Sequence, residues 1–189
     1  MTIALQNKIS LQQFLSLPET KPANEYVDGQ IYQKIMPKGK HSIIQRELTM
    51  AIDRAVASKN SASVFPELRC NFGGRSIVPD ISVFITERIP RDPDGTVAND
   101  FNISPDWTIE ILSPEQSHAK VVKNIVHCLK HGGSIGWLID PSDRSILAYH
   151  ANGLVEIFDE LEPQILLPVP VFAQELQLSL DVLFGWLTK

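Results

Sequence analysis

Apolar and polar positions along the chain alternate between helical and strand-like periods. Ser10 precedes LQQFLSL, a short run predicted as a helix capped by that serine and stopped at Pro18. NEYVDGQIYQKI alternates on either side of Asp28-Gly29, the dipeptide that favours a two-residue hairpin turn. In HSIIQRELTMAIDRAVAS, Ile43, Ile44, Leu48, Ala51, Ile52 and Ala55 recur with the period of a helix. Beyond Lys59-Asn60 the pattern becomes that of strands. SVFPELRCNF and RSIVPDISVFI flank Gly73-Gly74, which predicts an antiparallel pair. ERIPRDPDGTVANDFNISP is a loop by its Pro, Asp and Asn content. Then come a strand, WTIEIL, a helix from about Glu115 to Lys130 ended by Gly132-Gly133, and IGWLID, apolar enough for a strand covered on both faces. RSILAYH and LVEIFDE flank Asn152-Gly153 as a second hairpin, and SLDVLFGWL closes the pattern as a short helix capped by Ser179. The order helix, strand, strand, strand, helix, strand, with hairpins added at both ends, predicts an α/β (α+β) fold with a mixed sheet.

Composition narrows the class. A chain of 189 residues with 43% hydrophobic and 21% charged residues fits one globular domain spanning residues 1–189. No run approaches the ~18 apolar residues of a membrane span, so no membrane partner is expected. MTIALQNKISLQQFLSLPET lacks the basic start, apolar block and cleavage site of a signal peptide. Cys70 and Cys128 are too few for a disulfide scaffold, and a cytoplasmic location is expected. A net charge of −5 provides no global field for nucleic acid, so any such contact requires local basic patches.

The carboxylates carry the candidate chemistry. In WTIEIL, Trp107, Ile109 and Ile111 share one face, and Thr108, Glu110 and Leu112 the other. Continuing the same alternation, SIVPDISVF sends Ile77, Pro79, Ile81 and Val83 one way and Val78, Asp80, Ser82 and Phe84 the other. If the two strands are neighbours, Asp80 and Glu110 converge, and two carboxylates at strand distance repel unless a cation lies between them. Oxygen ligands of this kind favour Mg2+ or Mn2+. Pro79 inside a strand marks an edge or a bulge that re-aims its neighbour. The competing reading is that each acid lies at a solvated strand end or pairs with Arg or Lys.

At these residues the chain resembles the restriction-endonuclease-like family of the PD-(D/E)XK nuclease superfamily, long described only as a domain of unknown function. The similarity runs through EYVDGQIY, His41, VPDISVF, IEILSP, GWLIDP and LSLDVLFGWL. It implies a sheet core flanked by helices, a divalent-metal site and cleavage of nucleic-acid phosphodiester bonds, with DNA the expected substrate. On that resemblance Asp80 is the aspartate of the PD element and Glu110 the acid of the second element. Both are expected to ligate Mg2+ or Mn2+, together with the backbone carbonyl near Ile111. The motif lysine is expected two residues after Glu110, where this chain has Leu112. The family moves its lysine to the following helix, at the position of Asn124, and Lys120 and Lys123 are the catalytic candidates nearest to it. The lysine orients the attacking water or stabilises developing charge. Glu67 and Glu47 are possible further acids, against pairing with Arg69 and simple solvation respectively.

Other features are weaker. Lys38, Lys40 and His41 lie at a helix start, where free N–H groups favour phosphate, and the resemblance favours a substrate role for His41. His127 and His131 flank Cys128 at a spacing that binds zinc, without a third ligand in any recognisable pattern. Trp137, Phe184 and Trp186 fit core or interface anchors. The first reading is a Mg2+-dependent endonuclease. Its rivals are a catalytically silent binding or regulatory module on the same fold and a phosphohydrolase of another substrate. Cutting both strands of a duplex suits a homodimer.

Overall fold

The computed structural model describes residues 9–114 and 116–188. The chain opens with α1 (Leu11–Leu15), where Ser10 and Gln13 form a reciprocal capping box. β1 (Asn24–Val27) and β2 (Gln30–Gln33) pair antiparallel, with Asp28 and Gly29 both at positive φ, 53° and 88°, as a two-residue turn of this kind demands. α2 (Gly39–Ala57) buries Ile44, Leu48, Ile52 and Val56 along one face.

The two long runs predicted as a single strand pair each break. SVFPELRCNF divides into β3 (Ala62–Pro66) and β4 (Cys70–Phe72), and RSIVPDISVFI into β5 (Arg75–Ile77) and β6 (Ile81–Ile85). The breaks fall at Glu67, whose φ is 49°, and at Val78-Pro79-Asp80. The halves enter different sheets. A small sheet has the order β2-β1-β5-β4, and a large one contains β3 and β6. Strict alternation through residues 77–83 therefore does not hold, because Asp80 belongs to the break and not to a strand.

β7 (Trp107–Ile111) and β8 (Ile135–Asp140) run parallel, joined by α3 (His118–Lys130), while β9 (Ser145–His150) and β10 (Val155–Phe158) form the second hairpin. The large sheet has the order β10-β9-β8-β7-β6-β3, antiparallel except at β7–β8. The helix predicted from Glu115 starts at His118; Glu115 itself lies outside the described residues. α4 (Leu180–Gly185) follows Ser179, whose hydroxyl bonds to Asp181 and not to the helix backbone.

The two faces of the large sheet differ. Trp107, Ile109, Ile111, Trp137 and Ile139 pack with α2 and α4 into the main apolar core, and the two tryptophans meet edge to face. Phe184 and Trp186 belong to this core, as expected. On the other face Leu112 and Leu138 pack against Val121 and Ile125 of α3. Gly136 lets that helix descend, since a Cβ there would lie 2.3 Å from Ile125 Cγ2. No helix among the described residues is long and apolar enough to cross a membrane.

Candidate active site

The break at Val78-Pro79-Asp80 builds the site. Proline has no N–H and interrupts the ladder, so Val78 must find partners for its peptide groups elsewhere. Glu25 Oε1 accepts the Val78 N–H at 3.0 Å, and Lys34 Nζ donates to the Val78 carbonyl at 2.6 Å. The Asp80 carbonyl accepts from the Glu67 N–H at 3.1 Å and from Gln45 Nε2 at 2.8 Å. These bonds hold the segment between the two sheets and turn the Asp80 side chain inward.

β6 and β7 pair with Ile81 opposite Ile109, so one step further along the register Asp80 lies across from Glu110. The predicted convergence of the two acids is what the strands produce. Asp80 Oδ2 accepts the Ile111 N–H at 2.8 Å and lies 3.1 Å from His41 Nε2, while Oδ1 accepts from Lys34 Nζ at 2.6 Å. Burial opposes ionisation of Asp80, but Lys34 and then His41 outweigh it and hold its pKa below the ordinary range. Glu110 is in the opposite situation. Burial and then the neighbouring Asp80 push its pKa well up, with the charge of Lys34 only partly offsetting them. Among the described residues no side chain donates a hydrogen bond to the Glu110 carboxylate.

Two members of this cluster are not among the residues that the sequence singles out for chemistry, although one of them, Glu25, opens the EYVDGQIY stretch that carries the resemblance. Glu25, from β1, is buried beside Asn124 of α3, whose Nδ2 lies 3.4 Å from both carboxylate oxygens. Lys34, just past β2, is surrounded by three carboxylates. Burial alone would lower its pKa, but Asp80, Glu110 and Glu25 in turn raise it above the ordinary lysine value. The sequence signal for Glu25 is its parity with Val27, which puts an acid on the half-buried face of β1. A lysine after an edge strand carries no such signal.

A cavity of about 130 Å³ opens beside the cluster, lined by Glu25, Lys34, Glu110, Gln116, Lys120 and Asn124 among others. Of the two helix lysines, Lys120 faces it, with Nζ 4.3 Å over the Tyr32 ring. Lys123 is exposed and does not line it. Asn124, at the position where the resemblance expects a lysine, is buried with its Oδ1 unpartnered. Leu112 packs against α3, so the strand position that lacks the lysine is filled by core.

On the other side of Lys34 lies a cavity of about 420 Å³, whose lining includes Lys34, Met36, His41, Glu67 and Asp80. His41, at the start of α2, is buried and turned onto Asp80. Lys40 is exposed, and so is Glu67, which borders this cavity. Arg69 pairs with Glu19 and Ser76, not with Glu67, and Glu47 pairs with Arg46.

Oxygen donors, burial and excess negative charge suit a hard divalent cation that keeps several of its waters. The unpartnered Asn124 oxygen and the Glu110 carboxylate are the observations that fit one. Among the described residues no three His, Cys, Asp or Glu side chains already clasp a common point, so an ion here would rely on a pair of acids, a carbonyl and waters.

The histidine pair expected as a weak zinc candidate is committed elsewhere. His127 Nε2 lies 3.1 Å from the Phe72 carbonyl, and His131 Nδ1 lies 2.8 Å from the His127 carbonyl. His127 stacks on Phe72 at 4.8 Å. Cys70 and Cys128 are buried free thiols, and burial pushes Cys70 up to about 12.

Known proteins agree with this architecture. A crystal structure of "a putative nuclease belonging to DUF820" from Anabaena variabilis ATCC 29413 shares 57% identity, covering 95% of this chain and 99% of that one, with a TM-score of 0.92. No curated protein matches. The family model Uma2, described as "Putative restriction endonuclease", matches residues 11–181. With nine-tenths of its length inside that match, the chain belongs to the Uma2 family of restriction-endonuclease-like proteins.

Proposed function

We propose that the protein is a divalent-metal-dependent endonuclease, with DNA the substrate to try first. The observation that carries this reading is the gathering of Asp80, Glu110 and Glu25 around one lysine at the mouth of a cavity. Such a concentration of buried carboxylates is unfavourable unless cations answer it. Asp80, Glu110 and the backbone carbonyl of Ile111 would hold Mg2+ or Mn2+, with Glu25 as a further acid. Bound there, the ion would supply Lewis-acid stabilisation of phosphate charge and lower the pKa of an attacking water.

The chain's own groups do the rest. The N–H of Ile111 and His41 Nε2 fix Asp80 Oδ2, so a cation would have to share Oδ1 with Lys34 Nζ or take it over. Lys120 faces the cavity, where it would meet a phosphate oxygen, and Lys123 lies further along the same helix toward solvent. Lys40, at the exposed start of α2, would meet the nucleic-acid backbone, and Glu67 would border its path. Two copies would suit cleavage of both strands of a duplex, which sedimentation of the protein with and without DNA tests.

Supercoiled plasmid with Mg2+ or Mn2+ is the deciding substrate. Nicking that disappears in Asp80→Asn and Glu110→Gln supports the proposal. An intact plasmid with both cations, or cleavage that survives both substitutions, overturns it. One observation favours the rival, a silent nuclease-fold module: Lys34, His41 and Ile111 already engage both oxygens of Asp80. That rival expects DNA binding without cleavage under every cation.

A further inference from the structure

We propose that Lys34 is the catalytic lysine of this site, supplied by the N-terminal hairpin in place of the one that strand β7 lacks. The inference rests on the nuclease reading and sharpens it. Three lysines lie near the acids. Lys123 is exposed and lines neither cavity, and Lys120 stands over the Tyr32 ring at 4.3 Å. Among the described residues Lys34 is the one lysine hydrogen-bonded to an acid of the cluster, 2.6 Å from Asp80 Oδ1.

Its placement is built, not incidental. The Lys34 N–H donates to the Ala23 carbonyl at 2.9 Å, which prolongs the β1–β2 ladder by one residue and fixes where the side chain starts. A second bond from Nζ, to the Val78 carbonyl at 2.6 Å, fixes where it ends. The side chain is only 12% exposed, yet it borders both cavities and so forms the partition between Glu110 on one side and Asp80 with His41 on the other. Two of its three ammonium hydrogens are spent on Val78 and Asp80, which leaves one donor for whatever enters a cavity. A phosphodiester oxygen brought to the acids would meet Nζ at the place where negative charge grows during attack.

The step balances without a further reactant. A water oxygen bonds to phosphorus, the bond from phosphorus to the leaving sugar oxygen breaks, the water gives its proton to solvent, and the leaving oxygen takes one from solvent. Lys34 stays protonated and contributes by hydrogen bonding alone, as preorganised donors do.

The test is Lys34→Ala in the full chain, assayed on plasmid at saturating Mn2+. We expect cleavage to fall by about 100-fold or more, while Mn2+ binding by calorimetry is no weaker than wild type, since a competing positive charge has gone. Added methylammonium, which can enter the two cavities that Lys34 divides, should restore cleavage in proportion to its concentration. A lysine that merely balanced the acids would behave otherwise, because saturating metal would replace its charge and cleavage would persist. Wild-type cleavage by the variant, loss of Mn2+ binding, or no rescue by methylammonium overturns the proposal. If Lys34→Ala does not fold, Lys34→Gln, which keeps a donor for the Val78 carbonyl without the charge, decides by its cleavage and Mn2+ binding alone. Loss in Glu110→Gln beside full cleavage in Lys34→Ala rejects Lys34 and keeps the nuclease; no cleavage by wild type rejects both.

Discussion

Two groups of polar side chains lie along α3, and they are built by opposite rules. At one end His127 and His131 each place a ring nitrogen against a backbone carbonyl, with His127 stacked on Phe72 and His131 edge-on to it. Nearer its other end, Asn124 and Lys120 look onto Glu25, Glu110 and Lys34, where one amide oxygen is unpartnered and one carboxylate has no side-chain donor. Polar groups that find their partners within the fold serve structure, and groups left short of partners are where a ligand adds most. A histidine pair at a metal-like spacing is thus the settled cluster, and the acids separated by long stretches of chain form the unsettled one.

The contrast is sharpest at Glu110. Glu110→Gln should lower cleavage by roughly 1,000-fold and at the same time raise the melting temperature of the metal-free protein. The sign follows from its raised pKa. The folded state holds the Glu110 proton more tightly than the unfolded chain, so this stabilisation is complete below the ordinary value of 4.5 and is lost as pH rises through the folded value. The gain from glutamine should therefore be absent at acid pH and grow as pH rises, which a melting series without divalent cations measures. A variant less stable than wild type at neutral pH would show that Glu110 is already satisfied, and the contrast would break.

The histidine cluster should respond in the reverse sense. His127→Ala removes the stack on Phe72 and a hydrogen bond, and should destabilise the fold by about 1–3 kcal/mol with cleavage unchanged, as urea unfolding and plasmid nicking would report. Gly73→Ala tests the same cluster from the turn. Its φ is 55°, and a Cβ there would lie 2.3 Å from His131 Nε2, so it should cost about 1–2 kcal/mol. The smallest effect is expected from Lys40→Ala. This exposed charge should weaken DNA binding slightly and reduce its salt dependence by about one ion, measured by fluorescence anisotropy across a salt series.

Much of the fold lies in local pattern. The hairpins at Asp28-Gly29 and Asn152-Gly153, the periodicity of α2 and the apolar run of β8 all follow from nearest neighbours, and each element forms where expected. Pro79 signals the irregularity beside Asp80, but local pattern misses the break at Glu67 and the change of sheet at both breaks, because alternation continues across them. Asp80 and Glu110 are conspicuous as acids among apolar neighbours, and their register is that of adjacent strands. Lys34 is not conspicuous, since its role comes from a contact 46 residues away with Asp80. Lys120 and Lys123 share one helix and differ only in how that helix rolls onto Gly136, which no spacing rule specifies.

The division of the site between two sheets also bears on how such a protein changes over generations. Asp80 and Glu110 are embedded among strands whose neighbours are fully buried, so almost any replacement there disturbs packing. Lys34 follows the edge strand of the small sheet, with β2 exposed along most of its length, yet its own side chain is mostly buried and its ammonium reaches Asp80. Replacing it leaves a buried carboxylate without its closest cation and the Val78 carbonyl without its donor, so that position is no freer than the acids beside it. The edge of the small sheet and the core of the large one are thereby bound to each other, since a change at the lysine or at either acid alters the charge that the others must balance.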